Sequence, residues 1–291
     1  MAQDSPARLR AGADGARDHI VDHLIAERAP RLAGGAAWPA LRPALYAVLD
    51  YGKARRTADA IAPLTGREAL DYLSRLLRVR VETRFLERLP SKGRLVLICN
   101  HPTGIADGIA VYDALKGLRP DLMFYANSDA LRVAPRMNDV LIPVEWVEEK
   151  RTRDRTRLTL EMTRRAMLEE RPLVIFPAGK LARQIAPGVA VDPAWASSAF
   201  SVARKYKAMI VPLHLAGPWS ALFHFFHGFS NELRDITLFH ELLNKRGKLF
   251  RLTVGPPVAP GALPADPAQA AVAMKSYVET ILPADRSEPF S

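Results

Sequence analysis

His101 and Asp107 stand on either side of a glycine-containing bend, in the stretch NHPTGIADG, and the apolar run LVLIC leads straight into it. An imidazole takes up a proton near neutral pH, which suits it to activating a hydroxyl. It then needs a partner that holds its tautomer and stabilises the imidazolium, a role a carboxylate fills. Gly104 lets the backbone turn back, so the two side chains can meet across the five residues between them. A plainer reading uses the same residues: Asp107 caps the following helix and His101 is an ordinary loop residue. The spacing leaves both readings open. A second group, FPAGKLAR, puts Lys180 and Arg183 after a tight PAG turn. Cations there would hold a phosphate or carboxylate, or else form a solvated basic loop. Gly179, after a proline at a strand end, marks an unusual backbone angle or the close approach of a ligand.

Other reactive residue types offer less. Cys99 is the single cysteine. It lies inside an apolar run, where a free cysteine behaves as a small hydrophobe rather than a nucleophile. One cysteine excludes an intramolecular disulfide and a thiolate metal cluster, and favours a reducing compartment. His214, His224, His227 and His240 show no metal-ligand spacing backed by acids, so no metal is expected. The aromatic stretch WSALFHFFHGF carries Trp219, Phe223, Phe225, Phe226 and Phe229. It suits an acyl groove, a bilayer contact or plain core.

The elements that must position these residues follow a change of texture. The first dozen residues are polar and small, and are expected to be mobile. Helices are expected from about Asp14 to Ala29, around ALRPALYAVLDYGKARRTADAIA as one segment, and after Thr65, where Glu68 completes a capping-box pattern ahead of Leu70, Leu73, Leu76 and Leu77. Residues 1–78 thus read as a helical segment, possessing basic, amphipathic stretches suited to a membrane surface. From residue 79 strands and helices alternate: VRVETRF, RLVLICN, LMFYAN, DVLIPVE, PLVIF, AMIVPLHLAG and KLFRLTVGPPV as strands. The helices between and after them are DGIAVYDALKGL, the basic RDRTRLTLEMTRRAMLEE, SSAFSVARKYK and DPAQAAVAMKSYVETIL, the last with Asp266 as N-cap and Pro267 at the first helical position. This alternation predicts an α/β fold over 79–291, a mostly parallel central sheet flanked by helices. In such sheets ligands bind beyond the carboxyl ends of the strands, where both polar groups fall.

The whole chain sets bounds. It has 291 residues, 48% of them hydrophobic, enough for a substantial core. The net charge of +10 and pI near 9.9 favour anionic partners. No aromatic-basic RNA motif or helix-turn-helix signature accompanies the charge, so nucleic acid is not expected. Two ligands at His101 and Asp107 are too few for a metal-dependent hydrolase. No run approaches the roughly 20 apolar residues of a spanning helix. No apolar core of signal-peptide length starts the chain, so export by that route is not expected.

In order, the blocks resemble the lysophospholipid acyltransferase family, of the 1-acylglycerol-3-phosphate acyltransferase type, and more narrowly its hemolysin-like bacterial branch. The resemblance covers about residues 79–258. The broad family has four residues between its His and Asp; NHPTGIADG has five, as the hemolysin-like branch does. FPAGKLAR keeps Phe176, Pro177 and Gly179 of the family's Phe-Pro-Glu-Gly block, with Ala178 in place of the acid. IVPLHLAG matches the late Val-Pro block through Val211 and Pro212, and LRDITLFHELLNKRGKLFRLTVGPPV looks like the closing region of the branch. The resemblance implies acyl transfer from a thioester on acyl carrier protein or coenzyme A to a lysolipid hydroxyl, with no other cofactor. His101 would be the base and Asp107 its partner. Asn100, Gly104, Arg136, Pro177, Gly179, Lys180 and Arg183 would contact substrate, Lys180 and Arg183 through phosphate. Backbone N–H groups at the helix start after Asp107 are one candidate for the oxyanion donors. A cytoplasmic protein, peripheral on the anionic inner face of the cell membrane, is the implied setting. A non-catalytic lipid- or anion-binding protein on the same fold is the alternative that Ala178 suggests.

Overall fold

Strand β2 (Leu95–Cys99) is buried along its whole length. Its side chains alternate between two cores: Leu95, Leu97 and Cys99 join one, Val96 and Ile98 the other. A strand buried on both faces needs helices on both faces, and the computed structural model has them. It describes residues 18–145, 152–186, 189–284 and 289–290. The expected mobile N-terminus, and the part of the first helix before Asp18, lie outside these residues.

Helices α1 (Ile20–Arg28), α2 (Pro30–Ala33), α3 (Trp38–Val48), α4 (Tyr51–Ile61) and α5 (Gly66–Leu77) precede β1 (Arg80–Arg84) and β2. Then come α6 (Ile105–Leu115), β3 (Met123–Asn127), α7 (Asp129–Val133), β4 (Leu141–Val144), α8 (Arg153–Leu168) and β5 (Leu173–Ile175). A hairpin of β6 (Arg183–Ala186) and β7 (Val189–Val191) leads to α9 (Ser198–Tyr206) and β8 (Met209–Ala216). Short helices α10 (Ala221–His227), α11 (Asn231–Asp235) and α12 (Leu238–Leu243) precede β9 (Leu249–Val254) and α13 (Pro267–Ser276). The main sheet has seven strands in the order β1-β9-β8-β2-β5-β3-β4. All neighbours are parallel except β8 and β9. The expected mostly parallel sheet flanked by helices is therefore the observed architecture.

The N-terminal helices share a core with the sheet: Leu24, Ile25, Ala58 and Leu73 pack in the same cluster as Leu97 and Val211. The opposite face buries Met167 of α8, Phe200 of α9 and Met274 of α13. At Thr65 the backbone N–H and the hydroxyl both donate to Glu68 Oε2 at 2.8 Å, so the expected helix start is in place. Asp266 likewise caps α13, accepting from the Ala268 N–H.

One helix expectation is corrected. The segment around residues 40–62 is two helices, broken at Asp50 in a left-handed conformation (φ 54°). The physical reason is Asp22 of α1, which accepts both the Tyr46 hydroxyl at 2.7 Å and the Tyr51 hydroxyl at 2.6 Å. Five residues apart on a straight helix, at about 100° per residue, these tyrosines would point about 140° apart. The break stacks their rings at 4.1 Å instead. It also leaves Leu41 and Val48 of α3 exposed rather than packed.

Candidate active site

Helices α6 and α9, which follow β2 and β5, pack on opposite faces of the sheet, Ala106 and Ile109 in one core and Ala199 and Phe200 in the other. Neighbouring strands whose chains leave to opposite sides open a crevice at their carboxyl ends. β2 pairs directly with β5, so the loops carrying His101 and the Phe176–Lys180 turn face each other across that crevice.

His101 Nδ1 lies 2.9 Å from Asp107 Oδ2. The carboxylate is fully buried, and the imidazole is 17% exposed. Asp107 also accepts the Thr103 N–H at 2.9 Å, the Gly104 N–H at 3.0 Å and the Thr103 hydroxyl. The bend that allows this is Gly104, at φ 95° and ψ −139°, closed to other residues without strain. Asp107 is the third residue of α6, where the helix dipole favours a negative charge. Asp107 thus caps the helix and contacts the imidazole at once. The helix starts at Ile105, however, so the N–H groups beyond Asp107 are spent in the helical ladder and supply no oxyanion donor. An ionised Asp107 makes Nδ1 the donor, which leaves Nε2 as the basic nitrogen.

The His101 ring sits 4.6 Å from that of Phe176, and both line a cavity of about 320 Å³. Gly104, Gly179 and Lys180 line it with them, and its walls are mostly apolar side chains such as Leu24, Ile25, Ala58, Ile109, Phe124 and Phe239. Gly179 has φ 61°, the unusual backbone angle its position signalled, and its N–H donates to Phe176 O at 3.0 Å. Lys180 is exposed. Ala178, where the family acid would stand, packs half-buried against the second core.

Several residues read from the sequence as substrate contacts have other partners. Asn100 is buried, with its amide donating to Leu215 O at 2.9 Å and its carbonyl accepting the Leu215 N–H at 2.7 Å. It continues the β2–β8 pairing past the strand end. Pro177 is buried, and its carbonyl accepts the Ala196 N–H at 3.0 Å. Arg136 projects from an exposed turn and donates to Pro63 O at 2.7 Å, outside the cavity lining. Arg183 begins β6, also outside that lining; burial, then the charges of Arg234 and Arg183, depress the basicity of His227. Cys99 is buried, and burial pushes its thiol well up, as its apolar setting predicted. His224 stacks on Trp219 at 4.0 Å, and no group of three or more metal-ligating side chains occurs among the described residues.

The sequence reading missed Thr103 and the β6–β7 hairpin. Asp192, just after that hairpin, accepts the His101 N–H on both oxygens. A DPAW tetrapeptide gives no local sign of a partner 91 positions away.

The Acyltransferase family model matches residues 80–216. A lyso-glycine lipid O-acyltransferase of Phocaeicola vulgatus is 27% identical over 203 residues, 66% of this chain and 69% of that protein. One of Bacteroides thetaiotaomicron is 24% identical over 202 residues, 66% of this chain and 71% of that protein. The crystal structure of the 1-acyl-sn-glycerophosphate acyltransferase PlsC from Thermotoga maritima superposes with a TM-score of 0.46 at 12% identity, covering 76% of this chain and 82% of that one. The His101–Asp107 pair and the Phe176–Lys180 turn both lie inside the matched segment, so the two polar groups at the strand ends belong to the part of the chain that is similar to acyltransferases.

Proposed function

We propose that this protein moves a fatty acyl group from a thioester to the free hydroxyl of a lysolipid, with His101 as general base and Asp107 as its orienting partner. The observation that carries the reading is the 2.9 Å contact between Asp107 and His101, a residue that lines an apolar cavity. Nε2 of His101 takes the hydroxyl proton as the oxygen attacks the thioester carbonyl. Collapse of the tetrahedral intermediate breaks the C–S bond, and the imidazolium returns the proton to the departing thiolate. The thioester is already activated, so no covalent enzyme intermediate is needed. Asp107 stabilises the imidazolium between the two transfers. The cavity takes the acyl chain, and Lys180 pairs with an anionic headgroup at its mouth.

Acyl carrier protein or coenzyme A supplies the donor thioester. Acceptors of the lyso-glycine lipid class are supported by the names of the two relatives. The five-residue His–Asp spacing supports the hemolysin-like branch. No helix among the described residues is long and apolar enough to cross a membrane. A peripheral position on an anionic inner leaflet is supported by the +10 charge and by exposed Leu41, Val48, Trp219, Phe225 and Phe229. The test is thiol release and acyl-lipid formation by purified protein given acyl thioester and lysolipid. Wild type is expected to turn over and His101→Ala to lose that activity; equal thiol release by both would end the reading.

A further inference from the structure

One segment holds the His101 peptide from both sides. Ala182, the residue before β6, donates its N–H to His101 O at 2.9 Å. Asp192, the residue after β7, accepts the His101 N–H on both carboxylate oxygens at 3.1 Å. The two feet of the hairpin thus clamp the two peptide groups that flank the His101 Cα.

Asp192 is 5% exposed. Its Oδ2 also accepts the Trp195 indole N–H at 2.9 Å, and its own N–H donates to Glu279 Oε1 at 2.8 Å. Glu279 is in turn paired with Lys275 of α13. Among the described residues no Lys or Arg pairs with Asp192. A merely structural tether would not need an acid: a carbonyl or an amide accepts an N–H without burying a charge. The charge is spent facing the one residue that must become a cation during the reaction. Asp107 contacts Nδ1 of the ring, and Asp192, held on the backbone of the same residue, is close enough to feel the His101 charge.

We propose that Asp192 is a positioning residue for acyl transfer: from the foot of the β6–β7 hairpin it fixes the His101 backbone and sets a second negative charge beside the imidazolium. The inference rests on the base role of His101 proposed above. Burial raises the Asp192 carboxyl to about 6, and the nearby Glu279 adds to this, while the Trp195 and His101 N–H groups and the His101 charge oppose it. The clamp is therefore charged above about pH 6 and is lost as the pH falls through that value.

The test measures acyl transfer and thermal unfolding of the full chain as wild type, Asp192→Asn, Asp192→Ala and Trp195→Phe. Asp192→Asn is expected to lower kcat by about tenfold or more, with KM for both substrates unchanged, because the amide keeps the tether but the imidazolium loses a nearby negative charge, and no substrate contact is removed. The same variant is expected to melt at higher temperature in mildly alkaline buffer, since a buried charge is gone. Trp195→Phe removes a donor that keeps the carboxylate ionised, so the acidic limb of kcat/KM moves to higher pH. If Asp192→Ala does not fold, the other two variants carry the test. Wild-type kcat in Asp192→Asn, or an unmoved acidic limb in Trp195→Phe, overturns the inference. Should His101→Ala lose thiol release while Asp192→Asn keeps it all, the inference falls and acyl transfer stands; a wild type that releases no thiol overturns both.

Discussion

Asp107 performs with one carboxylate what two residues usually share. It closes the first turn of α6 through the Gly104 N–H and orients the imidazole through Nδ1. Asp107→Asn keeps the size but puts an amide where a charge and several acceptor sites are needed. The rotated amide would donate towards the Thr103 and Gly104 N–H groups, or leave His101 in the wrong tautomer. We expect kcat to fall by about 10³- to 10⁴-fold, as tautomer loss does in Ser-His-Asp enzymes, with KM little changed, measured by thiol release. A fall confined to KM would argue that Asp107 serves binding. Asp192 differs in sign. Burial pushes its carboxyl up to about 6, well above the ordinary carboxylate range, so the stability it contributes is complete below that ordinary range and is lost as pH rises through about 6. The shift corresponds to about 3 kcal/mol, an activity-linked cost that Asp192→Asn would remove. The His101–Asp107 pair was legible in the sequence because its partners are local. The occupations of Asn100 and Asp192 were not, since their partners lie 115 and 91 positions away and only the sheet brings them together.

At the scale of elements, the buried strands and capped helices were legible, because an unbroken apolar run and cap chemistry are local signals. Strand β2 and the start of α5 are examples. The break at Asp50 and the hairpin were not. The first is dictated by tyrosine contacts to α1, and the hairpin is short and exposed along β6, so it has no alternation to read. The hairpin's neighbour Leu181 also locks the bend that carries the dyad. A Cβ at Gly104 would meet the Leu181 side chain at 3.2 Å, on a backbone at φ 95°. Gly104→Ala is expected to cost about 1–3 kcal/mol from backbone strain. Because the displaced segment carries His101, kcat should fall with the melting temperature. A variant that melts lower yet keeps full kcat would show that the bend serves stability alone.

For the molecule as a whole, charge and exposed apolar area have to be read together. A net charge of +10 gives long-range attraction to an anionic surface, but attraction alone is screened by salt. Short-range hold needs apolar side chains in the interface. α10 and the turn that follows it offer them: Phe225 and Phe229 are 65% and 61% exposed, their rings 5.3 Å apart, with Phe226 completing the cluster. The same helix places His227 near enough to feel Arg183 of the hairpin that clamps His101. Insertion there would bring the proposed lysolipid source to the loop that carries His101. Full burial of one phenylalanine is worth about 1.5–3 kcal/mol, so losing two should weaken membrane binding by at least about tenfold. Wild type should therefore sediment with anionic phospholipid vesicles, less so as salt rises and little with neutral ones. Phe225→Ser/Phe229→Ser should sediment much less at any salt, while keeping wild-type turnover on detergent-dispersed lysolipid. Equal sedimentation of the double variant and wild type would remove α10 from the membrane face, and equal binding to neutral vesicles would remove the role of charge.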